Sequence, residues 1–313
     1  METLINFASH LKKKEKHGIP QRFMSGKHIA LIFEKQSTRT RSAFTVAATK
    51  LGANVEYLNK NDIQLGSKES VEDTAKVLGS MFDGIAYRGN HQETVESLGE
   101  HANIPIWNAL TNEWHPTQML ADFLTIKEHL GTYKGKTITF VGDGRNNVSH
   151  SLLVTGAILG ANINILAPES LQPAISVQKI AYDIAKESGS QLLITSNIEK
   201  GIVNSDVVYT DVWCSMGEED ALDERVKLLA DYQVNQELMN LTGKKDTIFL
   251  HCLPAIHDKS TEMGKLAHEK FNVDGLEVTD DVFRSPASKV FDQAENRMHT
   301  IKALIAVTCG NVH

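Results

Sequence analysis

The sequence predicts an α/β protein of two doubly wound domains with mostly parallel sheets, joined by interdomain helices. Three observations predict it. Short apolar runs alternate with longer amphipathic stretches along the whole chain, the signature of strands crossing over through helices. The rhythm pauses at Gly131-Thr132-Tyr133-Lys134-Gly135-Lys136 and then starts again. The 313 residues suit about two domains of ordinary size.

The first half opens with a strand over His28–Phe33, where five apolar residues follow a polar one, and a helix over Thr38–Leu51. A strand at Ala53–Leu58 precedes a helix at Val71–Met81, which Ser70 and Asp73 can begin as a capping box. Gly84–Tyr87 and Pro105–Trp107 read as strands with Gln92–Ala102 helical between them. Pro116 suits the first position of a helix that runs on through Met119–Leu130. In the second half, Thr137–Val141, Ile163–Ala167, Leu192–Thr195, Val207–Thr210 and Thr247–Leu250 read as strands, and Asn147–Leu159 as a helix. Pro173 is expected to open a helix over Pro173–Ser188. The last stretch, Ser288–Cys309, reads as one long helix that either closes the second domain or crosses back to the first.

Composition narrows the function. With 41% hydrophobic and 23% charged residues, the chain can bury a core without staples. A net charge of -7 gives no overall basic footprint for nucleic acid, though a few arginines can still converge locally. The three cysteines, Cys214, Cys252 and Cys309, are far apart and form no zinc or redox spacing, so reduced thiols are expected. The N-terminus has no apolar signal region, and no 18-residue apolar run occurs, so a cytoplasmic protein is expected.

In open α/β sheets ligands sit beyond the carboxyl ends of strands. Four polar clusters lie there. Ser37-Thr38-Arg39-Thr40-Arg41 follows the first strand and opens a helix, so free N–H groups, hydroxyls and a guanidinium fork can meet an anion. The plainer reading is an N-cap serine with solvated arginines. His115-Pro116-Thr117-Gln118 puts a donor able to polarise a carbonyl within one turn of an amide; a capped helix with a structural histidine fits equally well. Asp211-Val212-Trp213-Cys214-Ser215-Met216-Gly217 offers Asp211 for an ammonium group and the Ser215-Met216 backbone for a carboxylate, but alone reads as a loop. His251-Cys252-Leu253-Pro254 ends a strand; Cys252 is a nucleophile, a polar contact or packing, and Pro254 turns the chain out of the sheet. Gly142-Asp143-Gly144 begins a dinucleotide fingerprint that needs a third glycine, and Asn147 stands there, so a nicotinamide enzyme is a weak reading.

Together these clusters resemble the aspartate/ornithine carbamoyltransferase family over nearly the whole chain. The likeness rests on Phe33-Glu34-Lys35-Gln36-Ser37-Thr38-Arg39-Thr40-Arg41, Tyr87-Arg88-Gly89, His115-Pro116-Thr117-Gln118, Asp211-Val212-Trp213, Ser215-Met216-Gly217, His251-Cys252-Leu253-Pro254 and Glu295-Asn296-Arg297, in that order. The resemblance implies a carbamoyl phosphate domain over 1–133, joined by the C-terminal helix 289–313, and an ornithine domain over 134–288. It implies a phosphate site at Ser37, Thr38, Arg39 and Thr40, with Arg88 and His115 on the carbamoyl carbonyl and Gln118 on its amide. Gln64 matches a carbamoyl phosphate contact presented to a neighbouring subunit of a trimer. Cys252, Leu253 and Arg297 match the lining of the reacting centre; Asn147, Asp211, Ser215 and Met216 match ornithine contacts. Cys252 is expected to hold the amine with Asp211 as its polar partner, without a covalent role. Arg88, His115, Cys252 and Arg297 are the implied catalytic groups.

The implied partners are carbamoyl phosphate, ornithine and other copies of the chain in a trimer or a multiple of trimers, with no nucleic acid, membrane, metal or organic cofactor. Two departures stand out. The family's N-terminal helix is shortened, the chain starting close to Leu11–Gly18, and Thr45 stands where many members carry an acid. Within the class, putrescine or aspartate competes with ornithine as the amine. A nucleotide-dependent oxidoreductase or a non-catalytic relative are the readings from other classes; the incomplete glycine pattern opposes the first, and the set Arg39, Arg88, His115 and Gln118 the second.

Overall fold

A computed structural model describes residues 1–214 and 221–311. The chain divides into two compact units, Met1–Leu124 with Ala294–His313, and Thr125–Gln293. Among the described residues the sheets are parallel throughout, as the strand–helix alternation requires.

The first unit carries β1 (His28–Phe33), β2 (Asn54–Asn59), β3 (Gly84–Arg88) and β4 (Ile106–Leu110), in the order β2-β1-β3-β4. Strand β1 shows why its sequence is a continuous apolar run. Ile29, Leu31 and Phe33 enter one core with Phe44, Ala47, Trp107 and Ile305, while Ala30 and Ile32 enter the core on the opposite face with Ala75, Val95 and Leu98. The helices on these faces are α1 (Glu2–Lys16), α2 (Arg39–Lys50), α3 (Val71–Gly79), α4 (Gln92–His101) and the unit's part of α13 (Val290–Cys309). The expected cap of α3 is present in altered form. Ser70 Oγ accepts from the Asp73 N–H at 3.0 Å, and its hydroxyl donates to the Asp73 carboxylate at 2.7 Å instead of leaving that carboxylate to the Ser70 backbone.

Periodicity assigns no element to residues 2–16, yet they form a helix of 15 residues that buries Ile5, Ala8, Leu11 and Lys12. Polar contacts dock it. Lys12 Nζ donates to Asn296 Oδ1 at 2.7 Å, and Glu15 pairs with Lys302 and Lys50. Burial alone would raise the Glu15 pKa, but the hydrogen bonds and charges of those two lysines bring it down to about 2.

The second unit carries β5 (Thr137–Val141), β6 (Asn162–Leu166), β7 (Leu192–Thr195), β8 (Val207–Thr210) and β9 (Ile248–His251), in the order β7-β6-β5-β8-β9. Helix α5 (Pro116–Leu130) contains the boundary between the units at residues 124 and 125, as α13 does at 293 and 294. Helix α6 (Asn147–Leu159) is capped by Asn146, whose Oδ1 accepts from the Ser149 N–H at 2.8 Å. Helix α7 (Ile175–Ser188) begins two residues later than Pro173 suggests, because Ala174 is still extended, with ψ 140°. Helices α8 (Ile198–Ile202), α9 (Leu222–Leu229), α10 (Gln236–Leu241), α11 (Glu262–Phe271) and α12 (Asp280–Phe283) complete the unit. Among the described residues no helix is long and apolar enough to cross a membrane.

Each sheet has one point where the chain reverses its direction of winding. From β1 the chain adds β2 on one side and then β3 on the other, so the switch lies between Phe33 and Arg88 at the strands' carboxyl ends. From β5 it adds β6 and β7 on one side and then β8 and β9 on the other, so the second switch lies between Val141 and Thr210. The helices that follow the switched strands leave in opposite directions there, which opens a crevice in each unit.

Candidate active site

In the first unit the switch point gathers the basic and polar side chains that the sequence singles out. Arg88 is the last residue of β3 and is buried; its carbonyl accepts from the Glu34 N–H at 2.9 Å, which ties it to the end of β1. Ser37 sits just before α2, where its Oγ accepts from the Thr40 N–H at 3.2 Å, and Thr38 occupies the N-cap position without a side-chain cap bond. Ser37 therefore caps from one position before the N-cap, through a single bond to the Thr40 N–H. Thr38 is exposed, Ser37 and Arg39 are half-buried, and Thr40 is buried.

Arg297 of α13 organises this cluster. Its Nη2 donates to Thr40 Oγ1 at 2.9 Å and its Nη1 to Gln118 Oε1 at 2.5 Å. Since the Thr40 oxygen accepts from Arg297, its own hydroxyl proton is left to point at another acceptor. Gln118 Nε2 donates in turn to Asp122 Oδ1 at 2.8 Å, so both ends of the Gln118 amide have protein partners. Asp122 is fully buried on α5, and its role has no counterpart in the sequence reading.

His115 is buried immediately before Pro116 opens α5. Burial first, and then the positive charges of Arg297, Arg88 and Arg39, hold its pKa well below that of an ordinary histidine. At neutral pH it is therefore a neutral imidazole, able to donate one N–H to an oxygen without adding a charge. Gln64 is not part of this set of hydrogen bonds. It is exposed on the loop after β2, where its carbonyl closes a turn with the N–H groups of Ser67 and Lys68.

The second unit builds a different cluster at its own switch point. Asp211 follows β8 and is buried. Its Oδ1 accepts from the Val212 N–H at 2.9 Å and from Cys252 Sγ at 3.1 Å, and its Oδ2 accepts from Asn146 Nδ2 at 3.3 Å. The predicted Asp211–Cys252 contact is thus present, and Asn146 joins it from the α6 cap. Burial raises the Asp211 pKa, though the bonds from Cys252 and Val212 oppose it. A cation at this carboxylate would favour its charged form and offset the desolvation. Asn147 is half-buried at the first position of α6, one residue beyond the cap. Ser215 and Met216 lie outside the described residues.

The loop that carries Cys252 is held by buried groups. His251 N–H donates to Gln293 Oε1 at 3.0 Å, and the imidazole Nδ1 accepts from the Leu253 N–H at 2.9 Å. That acceptance puts the ring proton on Nε2, which meets Glu277 Oε1 at 3.1 Å; the same oxygen accepts from the Ile256 N–H at 2.7 Å. Leu253 is locked at φ 60°, a left-handed conformation that a side chain seldom adopts, and this network is what maintains it. Glu277 and Gln293 carry no motif of their own, and nothing in the local sequence connects His251 to Glu277.

Asp211, His251 and Cys252 bring three possible metal-ligand atoms within 4.8 Å of one another. The donor set does not suit a metal, because both nitrogens of His251 are already engaged and the Cys252 thiol donates to Asp211. The glycines after β5 meet demands of the backbone: Gly142 has φ 130°, and a Cβ on Gly144 would lie 2.8 Å from the Leu171 carbonyl oxygen.

Known proteins resemble this chain over nearly its whole length. The family described as aspartate/ornithine carbamoyltransferase, carbamoyl-P binding domain, matches residues 1–128, and the same family's Asp/Orn binding domain matches residues 134–308. A catabolic ornithine carbamoyltransferase of Streptococcus ratti is 60% identical over 312 residues, covering 100% of this chain and 93% of the relative. One from Bacillus cereus is 59% identical over 308 residues, covering 98% and 92%. Among solved structures, the ornithine carbamoyltransferase of Pyrococcus furiosus superposes with a TM-score of 0.91 at 42% identity, covering 99% of this chain and 93% of that one.

Proposed function

The chain belongs to the aspartate/ornithine carbamoyltransferase family, and on that premise we propose how its residues perform the reaction. It is an enzyme that transfers the carbamoyl group of carbamoyl phosphate to the δ-amine of ornithine, giving citrulline and phosphate. The observation that carries the residue assignment is the Thr40–Arg297–Gln118 cluster with a neutral His115 among three guanidinium groups.

Carbamoyl phosphate is a dianion at one end and an amide-like carbonyl at the other. Its phosphate is held by the N–H groups of Ser37, Thr38 and Thr40, by the hydroxyls of Ser37 and Thr38 and by the fork of Arg39. Its carbonyl oxygen meets Arg88, His115 and the free proton of the Thr40 hydroxyl. These donors are fixed before the reaction and strengthen as the oxygen becomes an oxyanion, which is commonly the largest part of such catalysis. A neutral His115 donates its N–H here without adding a further positive charge among the guanidinium groups. Gln118 Oε1 keeps a lone pair for the carbamoyl N–H, and Arg297, Leu253 and Cys252 line the reacting centre.

Ornithine brings an α-ammonium suited to Asp211 and an α-carboxylate suited to Asn147 and to the N–H groups of Ser215 and Met216. Its δ-amine must be neutral to attack. An alkylamine pKa near ~10.4 leaves about one molecule in a thousand as the free base at neutral pH, so selective capture of that form is part of the task. The amine lone pair forms the new C–N bond, the carbonyl π electrons move to oxygen, and the collapse of the oxyanion expels phosphate. The proton lost by the nitrogen leaves with phosphate, which departs as hydrogen phosphate. Cys252 holds the amine side through its bond with Asp211 and forms no covalent intermediate.

We place the enzyme in the cytoplasm as a homotrimer or a multiple of trimers, in which Gln64 serves the carbamoyl phosphate site of a neighbouring copy. Its exposure on a loop supports that role. The catabolic names of relatives near 60% identity support a role in arginine breakdown. Loss of the gene should abolish growth on arginine while leaving arginine synthesis intact. The site assignment is tested by Arg297→Lys. A single ammonium cannot donate to both Thr40 and Gln118 in the guanidinium's fixed geometry. Citrulline formation should fall roughly a hundredfold or more, and near-normal turnover in the folded variant would remove Arg297 from the site.

A further inference from the structure

We propose that Asp122 is a positioning residue that fixes the Gln118 amide so that the site tells a carbamoyl group from an acyl group of the same size. The proposal rests on the assignment of Gln118 to the carbamoyl amide. Gln118 and Asp122 are one helical turn apart on α5 and are both buried, Asp122 completely.

The orientation of a glutamine amide is ordinarily a choice between two indistinguishable flips. Here the partners remove the choice. Arg297 can only donate, so the atom facing its Nη1 at 2.5 Å must be Oε1. The other end, Nε2, then faces Asp122 Oδ1 at 2.8 Å, and the carboxylate supplies the acceptor that Nε2 needs. Arg297 also holds Thr40 at 2.9 Å, so the chain Thr40–Arg297–Gln118–Asp122 runs from the proposed phosphate and oxyanion site to a buried anchor.

The consequence concerns substrate choice. Carbamoyl phosphate and acetyl phosphate differ only in an NH2 replaced by a CH3. Phosphate and carbonyl contacts cannot separate them. Only an acceptor aimed at the NH2 can, and the acceptor offered is the second lone pair of Gln118 Oε1. Without Asp122, Nε2 has no anchor, the amide is held by Arg297 alone and can tilt about that bond, and the second lone pair of Oε1 is no longer aimed at the NH2. A site built around a specific polar contact discriminates strongly, and it loses that discrimination when the contact is no longer aimed.

The test compares the unmodified enzyme with Asp122→Leu and Asp122→Asn, using three ligands. The KM for carbamoyl phosphate is measured, with the inhibition constants of acetyl phosphate and of inorganic phosphate against it. Asp122→Leu keeps the volume and loses the acceptor. It should raise the carbamoyl phosphate KM about tenfold or more while moving the other two constants less than about twofold. Asp122→Asn retains an acceptor oxygen and should stay within about threefold of the unmodified enzyme for all three ligands. If Asp122→Leu does not fold, Asp122→Ala carries the test, with the preference for carbamoyl over acetyl phosphate falling at least about threefold. Parallel weakening of all three ligands, or an unchanged preference in the Leu or Ala variant, overturns the proposal. A different result would strike the assignment of Gln118 itself: an unmodified enzyme that binds acetyl phosphate as tightly as carbamoyl phosphate.

Discussion

Replacing Asp211 with asparagine removes one charge and turns an acceptor oxygen into a donor NH2. In the free protein Asp211 receives three donors: the Val212 N–H at 2.9 Å, Cys252 Sγ at 3.1 Å and Asn146 Nδ2 at 3.3 Å. An asparagine can face Val212 and Cys252 with its oxygen, but its NH2 then faces the NH2 of Asn146, donor against donor. The ornithine α-ammonium would lose its charge-assisted partner in a buried site. That loss, with a buried donor left unpaired, comes to about 2–4 kcal/mol, or roughly 30- to 800-fold in kcat/KM. Putrescine keeps an ammonium in the place of the ornithine α-ammonium and lacks only the α-carboxylate, so it should lose about as much and the preference for ornithine should hardly change. The inhibition constant of phosphate should stay unchanged, because the proposed phosphate residues belong to the other unit. The assay is citrulline or carbamoylputrescine formation at saturating carbamoyl phosphate. A kcat/KM for ornithine within about threefold of the unmodified value, or a loss confined to ornithine, would refute the reasoning.

Other outcomes follow from the same contacts. Arg39→Ala should weaken carbamoyl phosphate binding and lower turnover, at a cost of roughly 2–4 kcal/mol in transition-state stabilisation; steady-state kinetics of the folded variant that match the unmodified enzyme would exclude Arg39 from the phosphate site. His115 should make stability depend on pH with a definite sign. Its folded pKa is depressed below the ordinary value of 6.5, so the unfolded chain takes up a proton where the native chain does not. The stability it contributes is complete above 6.5 and is lost as the pH falls below it. Denaturant titrations should show that acid limb flattened in His115→Asn, and an unaltered limb would contradict a buried neutral imidazole. Mixing an inactive Arg39 variant with an inactive Gln64 variant should restore part of the activity, since some shared sites regain both residues; full activity in a demonstrated monomer would rule out the shared site.

Much of the fold was legible because parallel sheets buried on both faces write themselves as apolar runs. The runs His28–Phe33, Thr137–Val141, Leu192–Thr195 and Val207–Thr210 form strands with those bounds, and Asn147–Leu159 forms the helix expected. Strand β9 extends one residue further than its apolar run, because His251 pairs with Thr210 and its N–H is met by Gln293. Helices α8 to α12 gave no comparable signal. They are short, and their faces are set by packing against Trp213, Leu229, Val234 and Phe249 rather than by a long period of their own. In the site, the residues that touch solvent-facing crevices fall at strand ends and could be found by that rule. Asp122 was within reach, since it stands four residues after Gln118 on the same helix. Glu277 was not: it meets His251 across 26 residues of loop and helix, and no local pattern encodes that contact.

The central claim is that the Asp211 cluster selects an amine carrying both an α-ammonium and an α-carboxylate. Its most direct test is phosphate release from carbamoyl phosphate with ornithine, putrescine or aspartate offered in turn to the unmodified enzyme. Putrescine keeps the ammonium that meets Asp211 but leaves the Ser215-Met216 donors, which await the α-carboxylate, without partners. Aspartate places its one amine too close to its own carboxylates to reach the carbonyl carbon. Two donors left without a carboxylate, at about 1–3 kcal/mol each, predict a kcat/KM for ornithine at least roughly a hundredfold above putrescine, with no measurable turnover of aspartate. Comparable values for putrescine and ornithine would contradict the account.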